Sequence, residues 1–305
     1  MARTRFVGDT GLTVRMTTVM LLLGGLLVGL VAVLMALFPP QYAPIIGLIG
    51  LGIAWWQWYS SDTLAMKAMR AREVSPEQAP ELHAMIERLC ALADMPKPRV
   101  GVADTDLPNA FATGRSPNRA VVVVTTGILK RLTTEELEGV LAHELSHVAH
   151  RDVLVMTVAS SAGIVAGMLA RGAQYGGMFG GGRGRRENNG LPIWVIVLLV
   201  SLVVYAVSFL LLRLLSRYRE LSADRAGAQL TMKPRALASA LQKITGEINQ
   251  IPTGDLRATG NAMNAFFFAP AINGVSLKTL TSTHPSLEQR LEQLAKIEAE
   301  LSRPS

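Results

Sequence analysis

Cysteine is almost absent from this chain of 305 residues: Cys90 stands alone. One thiol excludes an intrachain disulfide and any metal site built on cysteine, and it gives no sign of an oxidising compartment. Charge is also scarce, at 17% of residues, while half of the chain is hydrophobic. The mean hydropathy of +0.30 is high for a soluble globular protein and points to membrane spans. Acidic residues are the scarcer sign: 23 against 30 Lys and Arg, for a net charge of +7. Such a balance suits either nucleic-acid binding or arginines that flank membrane helices. No nucleic-acid motif is present and the arginines sit beside apolar runs, so a lipid bilayer is the expected partner and nucleic acid is not. The glycine-rich stretch 171–190 lacks the GK[ST] ending of a phosphate-binding loop, so nucleotide binding is not expected. There is no internal repeat.

What the chain does have is apolar length. Residues 16–38 carry no charge, and at ~1.5 Å rise per residue they cover a hydrocarbon core of ~30 Å. A second run, 43–59, follows the Pro39–Pro40 turn and ends in Trp55, Trp56, Trp58 and Tyr59, which suit a membrane–water interface. Residues 153–170 are less apolar, with Gly163, Ala166 and Gly167 available for close helix packing. Residues 193–215 form a strong span. About four transmembrane helices in two hairpins are therefore expected. Arg3, Arg5 and Arg15 ahead of the first span place the N-terminus in the cytoplasm. The loop 171–190, read as flexible, then falls outside although it holds Arg171, Arg183, Arg185 and Arg186. Either the last span overrides the charge rule or the second hairpin does not fully cross.

The polar segments read as mixed α and β. Leu82, Met85, Leu89 and Leu92 give 81–95 a helical period, with His83 on its surface and Cys90 and Met95 in the core. Residues 99–104 and 120–126 look like buried strands. Thr133 and Glu136 form a capping box that opens a helix. Residues 285–301 form another amphipathic helix. The aromatic patch 265–270 reads as core.

The helix opened by Thr133 carries His143-Glu144-Leu145-Ser146-His147. Residues four apart share a helical face, so both imidazoles address one point. Catalytic zinc usually takes three protein ligands and leaves a position open. Glu144, beside a ligand, has the reach of a general base toward a water held there. Glu220 and Asp224, also four apart, follow the last apolar run. Glu220 is the candidate third ligand, and Asp224 is placed to receive the second ring nitrogen of His143. His150 reads as a polar residue at the helix end.

Together these segments resemble the HtpX-type membrane-bound zinc metalloproteases, a bacterial family related to the CAAX prenyl proteases. The resemblance rests on the paired N-terminal spans, PNAFATG (108–114), HELSHVAHRD (143–152), the second hydrophobic hairpin, SRYRELSAD (216–224) and STHPSLEQRL (282–291), in that order. It implies an integral-membrane, mainly α protein with a cytoplasmic α+β zincin-type (gluzincin) catalytic domain and a small sheet. The division would be 1–60, N-terminal hairpin; 61–152, first catalytic part; 153–215, second hairpin; and 216–305, second catalytic part. By resemblance, His143, His147 and Glu220 bind one zinc per chain, Glu144 is catalytic, and the activity is proteolytic quality control at the cytoplasmic membrane. Polypeptides, above all membrane proteins, are the implied substrates. Asn109, Ala110, Phe111 and Ala112 resemble the edge strand on which such enzymes lay an extended peptide. His284 and Arg290 are candidates to stabilise an oxyanion. Three other readings remain beside this one. They are a protease cutting inside the bilayer, a prenyl-peptide protease, and a non-catalytic membrane scaffold that retains a metal site.

Overall fold

The structure is a computed structural model; it describes residues 10–37, 70–180, 192–248 and 284–302, with scattered positions between 48 and 69. The expected second span (43–59), the end of the glycine-rich stretch and the aromatic patch 265–270 lie largely or wholly outside these residues.

A small sheet and a helical bundle organise what is described. Strands β1 (Ala71–Glu73), β2 (Arg99–Ala103), β3 (Ala110–Thr113) and β4 (Val121–Thr125) form one mixed sheet in the order β1-β2-β4-β3. Strands β2 and β4 run parallel; β1 and β3 are antiparallel edges. The four consecutive valines of β4 are fully buried, as suits a central strand covered on both faces. Asn109 accepts the backbone N–H of Thr125 at 3.0 Å, and Phe111 stands opposite Val123. In an antiparallel ladder that alternation turns the backbone groups of Ala110 and Ala112 outward, along the free edge.

Helix α1 (Thr10–Leu37) matches the first apolar run. Helices α2 (Pro80–Ala93), α3 (Thr126–Arg131) and α4 (Thr134–Ala149) belong to the sheet region. They are followed by α5 (Asp152–Gly180), α6 (Ile193–Thr231), α7 (Pro234–Ile248) and α8 (Leu287–Leu301). The capping box at Thr133 and Glu136 is present; a second, at Ser286 and Gln289, opens α8. One core joins α2, the inner face of the sheet, α4, α7 and α8 through Leu89, Val122, Leu141, Leu241 and Ile297.

Helices α1, α5 and α6 pack together as a separate bundle. Among the described residues two helices are long and apolar enough to cross a membrane, Thr13–Leu34 and Ile193–Thr231. Their outer faces carry bare apolar side chains: Leu21 is 72% exposed and Val203 62%. A surface of that kind is stable against lipid and not against water. The glycines of α5 let it approach α6 closely. A Cβ on Gly163 would lie 3.3 Å from Ser208 Cβ, and one on Gly167 would lie 3.5 Å from the Tyr205 ring.

Several details differ from the sequence expectation. Helix α5 continues through Gly180, so the first ten residues of the stretch read as a flexible loop are helical. The close approach of this helix to α6 lies upstream of that stretch, at Gly163 and Gly167. His83 is buried, because its ring Nε2 lies 3.0 Å from the Val74 carbonyl of the incoming segment. Leu92 is 45% exposed although it continues the α2 period. Cys90 and Ala93 of the same turn are buried, so Leu92 falls on the outer face just before the helix ends at Asp94, a left-handed cap with φ of 52°. Helix α6 does not stop at residue 215 but runs 39 residues without a break, about 58 Å at the α-helical rise.

Candidate metal centre

The site forms where α4 meets α6. Helix α4 is buried over nearly its whole length, with His143 1% and Glu144 4% exposed. Gly227 of α6 sits on the α4 backbone: a Cβ there would lie 2.9 Å from His143 N and 3.1 Å from its Cα. Only a glycine permits that approach. It brings Glu220, seven residues earlier on the same helix, over the two histidines.

Three side chains then converge. His143 Nε2 and His147 Nε2 stand 3.2 Å apart. Glu220 places Oε2 3.6 Å from the first and Oε1 3.5 Å from the second. A tetrahedral ion holding nitrogen and oxygen ligands at about 2.0–2.2 Å requires separations of roughly 3.3–3.6 Å between them. The donor set and its spacing thus fit one such ion. Among the described residues these three form the one cluster able to hold a metal.

Each imidazole is held from behind by a carboxylate. His143 Nδ1 lies 2.9 Å from Asp224 Oδ1, and His147 Nδ1 lies 2.5 Å from Asp152 Oδ2. Both carboxylates are in turn neutralised by arginines. Arg290 donates to Asp224 through Nε at 2.7 Å and Nη2 at 2.6 Å, and Arg219 Nη2 is 2.9 Å from Asp152. Such partners fix ring orientation and raise ligand basicity. Burial alone would push the His143 imidazolium down, but Asp224 and Glu220 outweigh it and lift the ring to about 9. Burial holds Asp152 up less strongly than Arg219 and His147 draw it down, so it stays ionised.

Glu144 faces the sheet. Its Oε2 accepts the outward N–H of Ala112 at 2.9 Å, which ties the carboxylate to the free edge of β3. Burial raises its affinity for a proton, the nearby Glu220 adds to that, and the two histidines oppose it. A carboxylate tuned upward beside a polar cluster has the properties of a proton acceptor and carrier.

The sequence candidates come together as follows. His143, Glu144, His147, Glu220 and Asp224 meet within one cluster. His284 Nδ1 lies 3.2 Å from Glu220 Oε2. Arg290 is buried, with its guanidinium against Asp224 and Nη1 3.8 Å from Glu220. Asn109 is pinned by Thr125, the ring of Phe111 packs into a small cluster with Met69 and Val123, and Ala110 and Ala112 present their backbone to the edge. His150 caps α4. Sequence reasoning missed Asp152. It lies five residues from His147, off the helical period. Arg151 adopts a left-handed φ of 56°, ends α4 and turns the start of α5 back beneath the ring. No residue-type pattern announces that bend, because Arg is not a usual occupant of it.

A model of Peptidase family M48 matches residues 76–298. The chain belongs to that family. It is 54% identical to Protease HtpX homolog 1 of Streptomyces coelicolor, over 98% of this chain and 97% of that protein. It is 52% identical to a Protease HtpX homolog of Moorella thermoacetica, with 98% of each covered. At 49% identity, Protease HtpX homolog 2 of Methanosarcina mazei matches over 96% of this chain. Among solved structures, Ste24p of S. mikatae superposes with a TM-score of 0.54 at 17% identity. The match takes in 92% of this chain and 65% of Ste24p, and it supports a shared fold. This M48 chain is thus a mainly helical metallopeptidase-family protein with apolar helices suited to a membrane.

Proposed function

We propose that this M48 chain is a zinc-dependent endopeptidase of the bacterial cytoplasmic membrane, with its site on the cytoplasmic side. One observation carries the reading: two histidines and a glutamate converge on a single point, beside a glutamate hydrogen-bonded to the free edge of a sheet. His143, His147 and Glu220 would hold zinc, which when bound supplies a Lewis acid for a scissile carbonyl and a lowered pKa for water.

The chain's own residues divide the remaining work. An extended peptide pairs with the outward backbone groups of Ala110 and the carbonyl of Ala112, whose N–H stays on Glu144, with little demand on its sequence. Asn109 and Phe111 hold that strand in register from inside the fold. Glu144, with Oε2 fixed by Ala112, takes a proton from water through Oε1 and returns it to the leaving amine. His284 donates to the developing oxyanion. Arg290 acts through Asp224, holding His143 in place. The charge rule puts residues 1–15 in the cytoplasm, and the divisions at 60, 152 and 215 separate hairpins from catalytic parts. Substrates would be segments of misfolded membrane proteins that emerge near the bilayer surface.

The test uses detergent-purified wild type and Glu144→Gln, assayed for bound metal and casein cleavage together. About one zinc in both, with cleavage only by wild type, is the expected result. Absence of metal and cleavage in both folded, zinc-replete proteins would overturn the peptidase reading, and bound zinc without cleavage in both would leave the scaffold reading in its place. Cysteines placed in 171–190 and labelled from one side test the crossing of the second hairpin.

A further inference from the structure

Away from the metal centre, a cavity of about 380 Å³ opens where the second apolar run meets the sheet. Among the described residues its lining includes Trp56, Tyr59, Thr63, Lys67, Arg115 and Arg119, and none of these described lining residues is acidic. Arg115 lies over the Tyr59 ring at 4.1 Å and donates to the Tyr59 carbonyl at 3.4 Å. Trp55 also stacks on that tyrosine, with ring centroids 5.0 Å apart. Arg115 and Arg119 stand on the short connection from β3 to β4, and Arg119 closes a 3-10 turn, Pro117–Arg119. Gly114 fixes the start of that connection. Its φ is +138°, and a Cβ there would lie 2.6 Å from Ala120 Cα. The cations are therefore set on a constrained turn.

Two features together define a ligand. Three cations gathered around one cavity, with no carboxylate among its described lining residues, suit an anion; arginine forks match the oxygens of a phosphate. Exposed aromatic residues at the end of an apolar run lie at headgroup level, with Trp55 58% and Trp56 55% exposed. An anion met at that depth belongs to lipid. We propose that Lys67, Arg115 and Arg119, with Trp56 and Tyr59, bind the phosphate of an anionic phospholipid headgroup. The occupied pocket fastens the β3–β4 turn, and with it the edge strand beside Glu144, to the bilayer surface. The site is independent of the metal centre and needs only a chain seated in a membrane.

The test uses the full chain in neutral detergent micelles, titrated with dioctanoyl phosphatidylglycerol. Emission of Trp55, Trp56 and Trp58, three of its four tryptophans, reports binding. Each cation near an anionic lipid surface is worth about fivefold in affinity, so Lys67→Gln/Arg115→Gln/Arg119→Gln should lose on the order of a hundredfold. A control with equal net charge, Lys130→Gln/Arg235→Gln/Lys296→Gln, should bind like wild type. Arg119→Gln alone, an exposed change, should lose about fivefold and guards against misfolding of the triple variant. Dioctanoyl phosphatidylcholine should not bind comparably. Millimolar inorganic phosphate that fails to displace the lipid assigns the site to headgroups. Displacement at matching affinity keeps the phosphate site and assigns it to a soluble anion. Equal binding by both triple variants, or by the zwitterionic lipid, overturns the proposal.

Discussion

Replacing Asp152 by Asn tests how much of the metal centre rests on a residue outside the HExxH motif. The carboxylate sits 2.5 Å from His147 Nδ1 and is itself held by Arg219 at 2.9 Å. Asparagine keeps the shape and a carbonyl acceptor. It removes the charge that makes His147 a stronger donor, and it leaves Arg219 facing a neutral group. Loss of such a supporting partner typically lowers metal affinity about 10- to 100-fold, or roughly 1.4–2.7 kcal/mol. The assay is competition for zinc against a chelating dye, with the full chain in detergent. Thermal melting of the metal-free protein, run alongside, separates a weakened site from a damaged fold. Saturating zinc should restore most of the peptidase rate, because no reacting group has been touched. Asp224→Asn, behind His143, should behave in the same direction. Wild-type zinc affinity in Asp152→Asn, within twofold, would refute the reasoning that this carboxylate orients a ligand.

Other outcomes follow from neighbouring contacts. Gly227→Ala forces a Cβ to within 2.9 Å of the α4 backbone, so α6 must shift. A cost of about 1–3 kcal/mol in stability is expected, with weaker zinc binding, read by denaturant melts and the same dye. Glu136 resists burial through Lys243, Ser239 and the Thr133 N–H, which lower its carboxyl to about 2. Its folded-state value lies below the unfolded one, so its contribution is present above about pH 4.5 and is lost as pH falls toward 2. Melting temperature in Glu136→Gln should therefore fall less steeply than in wild type between pH 5 and 3. Thr133→Ala, which opens the α4 capping box, should cost about 1 kcal/mol by chemical denaturation. Chelation should lower the melting temperature, since an ion held at a thousand times its Kd adds about 4 kcal/mol.

The ligand set was readable because it obeys helical periods. His143 with His147, and Glu220 with Asp224, each lie four apart on one helix. The strands β2 and β4 were readable because they are short apolar runs bounded by turns. Strand β1 was not: Ala71-Arg72-Glu73 has no apolar pattern, and it pairs only because β2 offers an edge. Asp152 was hidden by the left-handed turn at Arg151, and the burial of His83 by a contact with Val74 across the fold. The tie between Ala112 and Glu144 joins residues 32 apart through a backbone N–H, which leaves no trace in side-chain identity. Helical continuation into 171–180 was not readable, because glycine-rich composition argues against a helix there.

The unbroken length of α6 gives it the mechanics of a lever. Glu220 lies 27 residues from the start of that helix, a moment arm of about 40 Å, so a swing of roughly 3° at the far end moves the ligand by about 2 Å. The three donor atoms tolerate far less if they are to share an ion. The helix must therefore be pinned near its working end as well as within the apolar bundle. Gly227 against α4 is one pin, and the paired hydrogen bonds of Arg290 to Asp224 are the other. Anything that tilts the bundle loads these two points first.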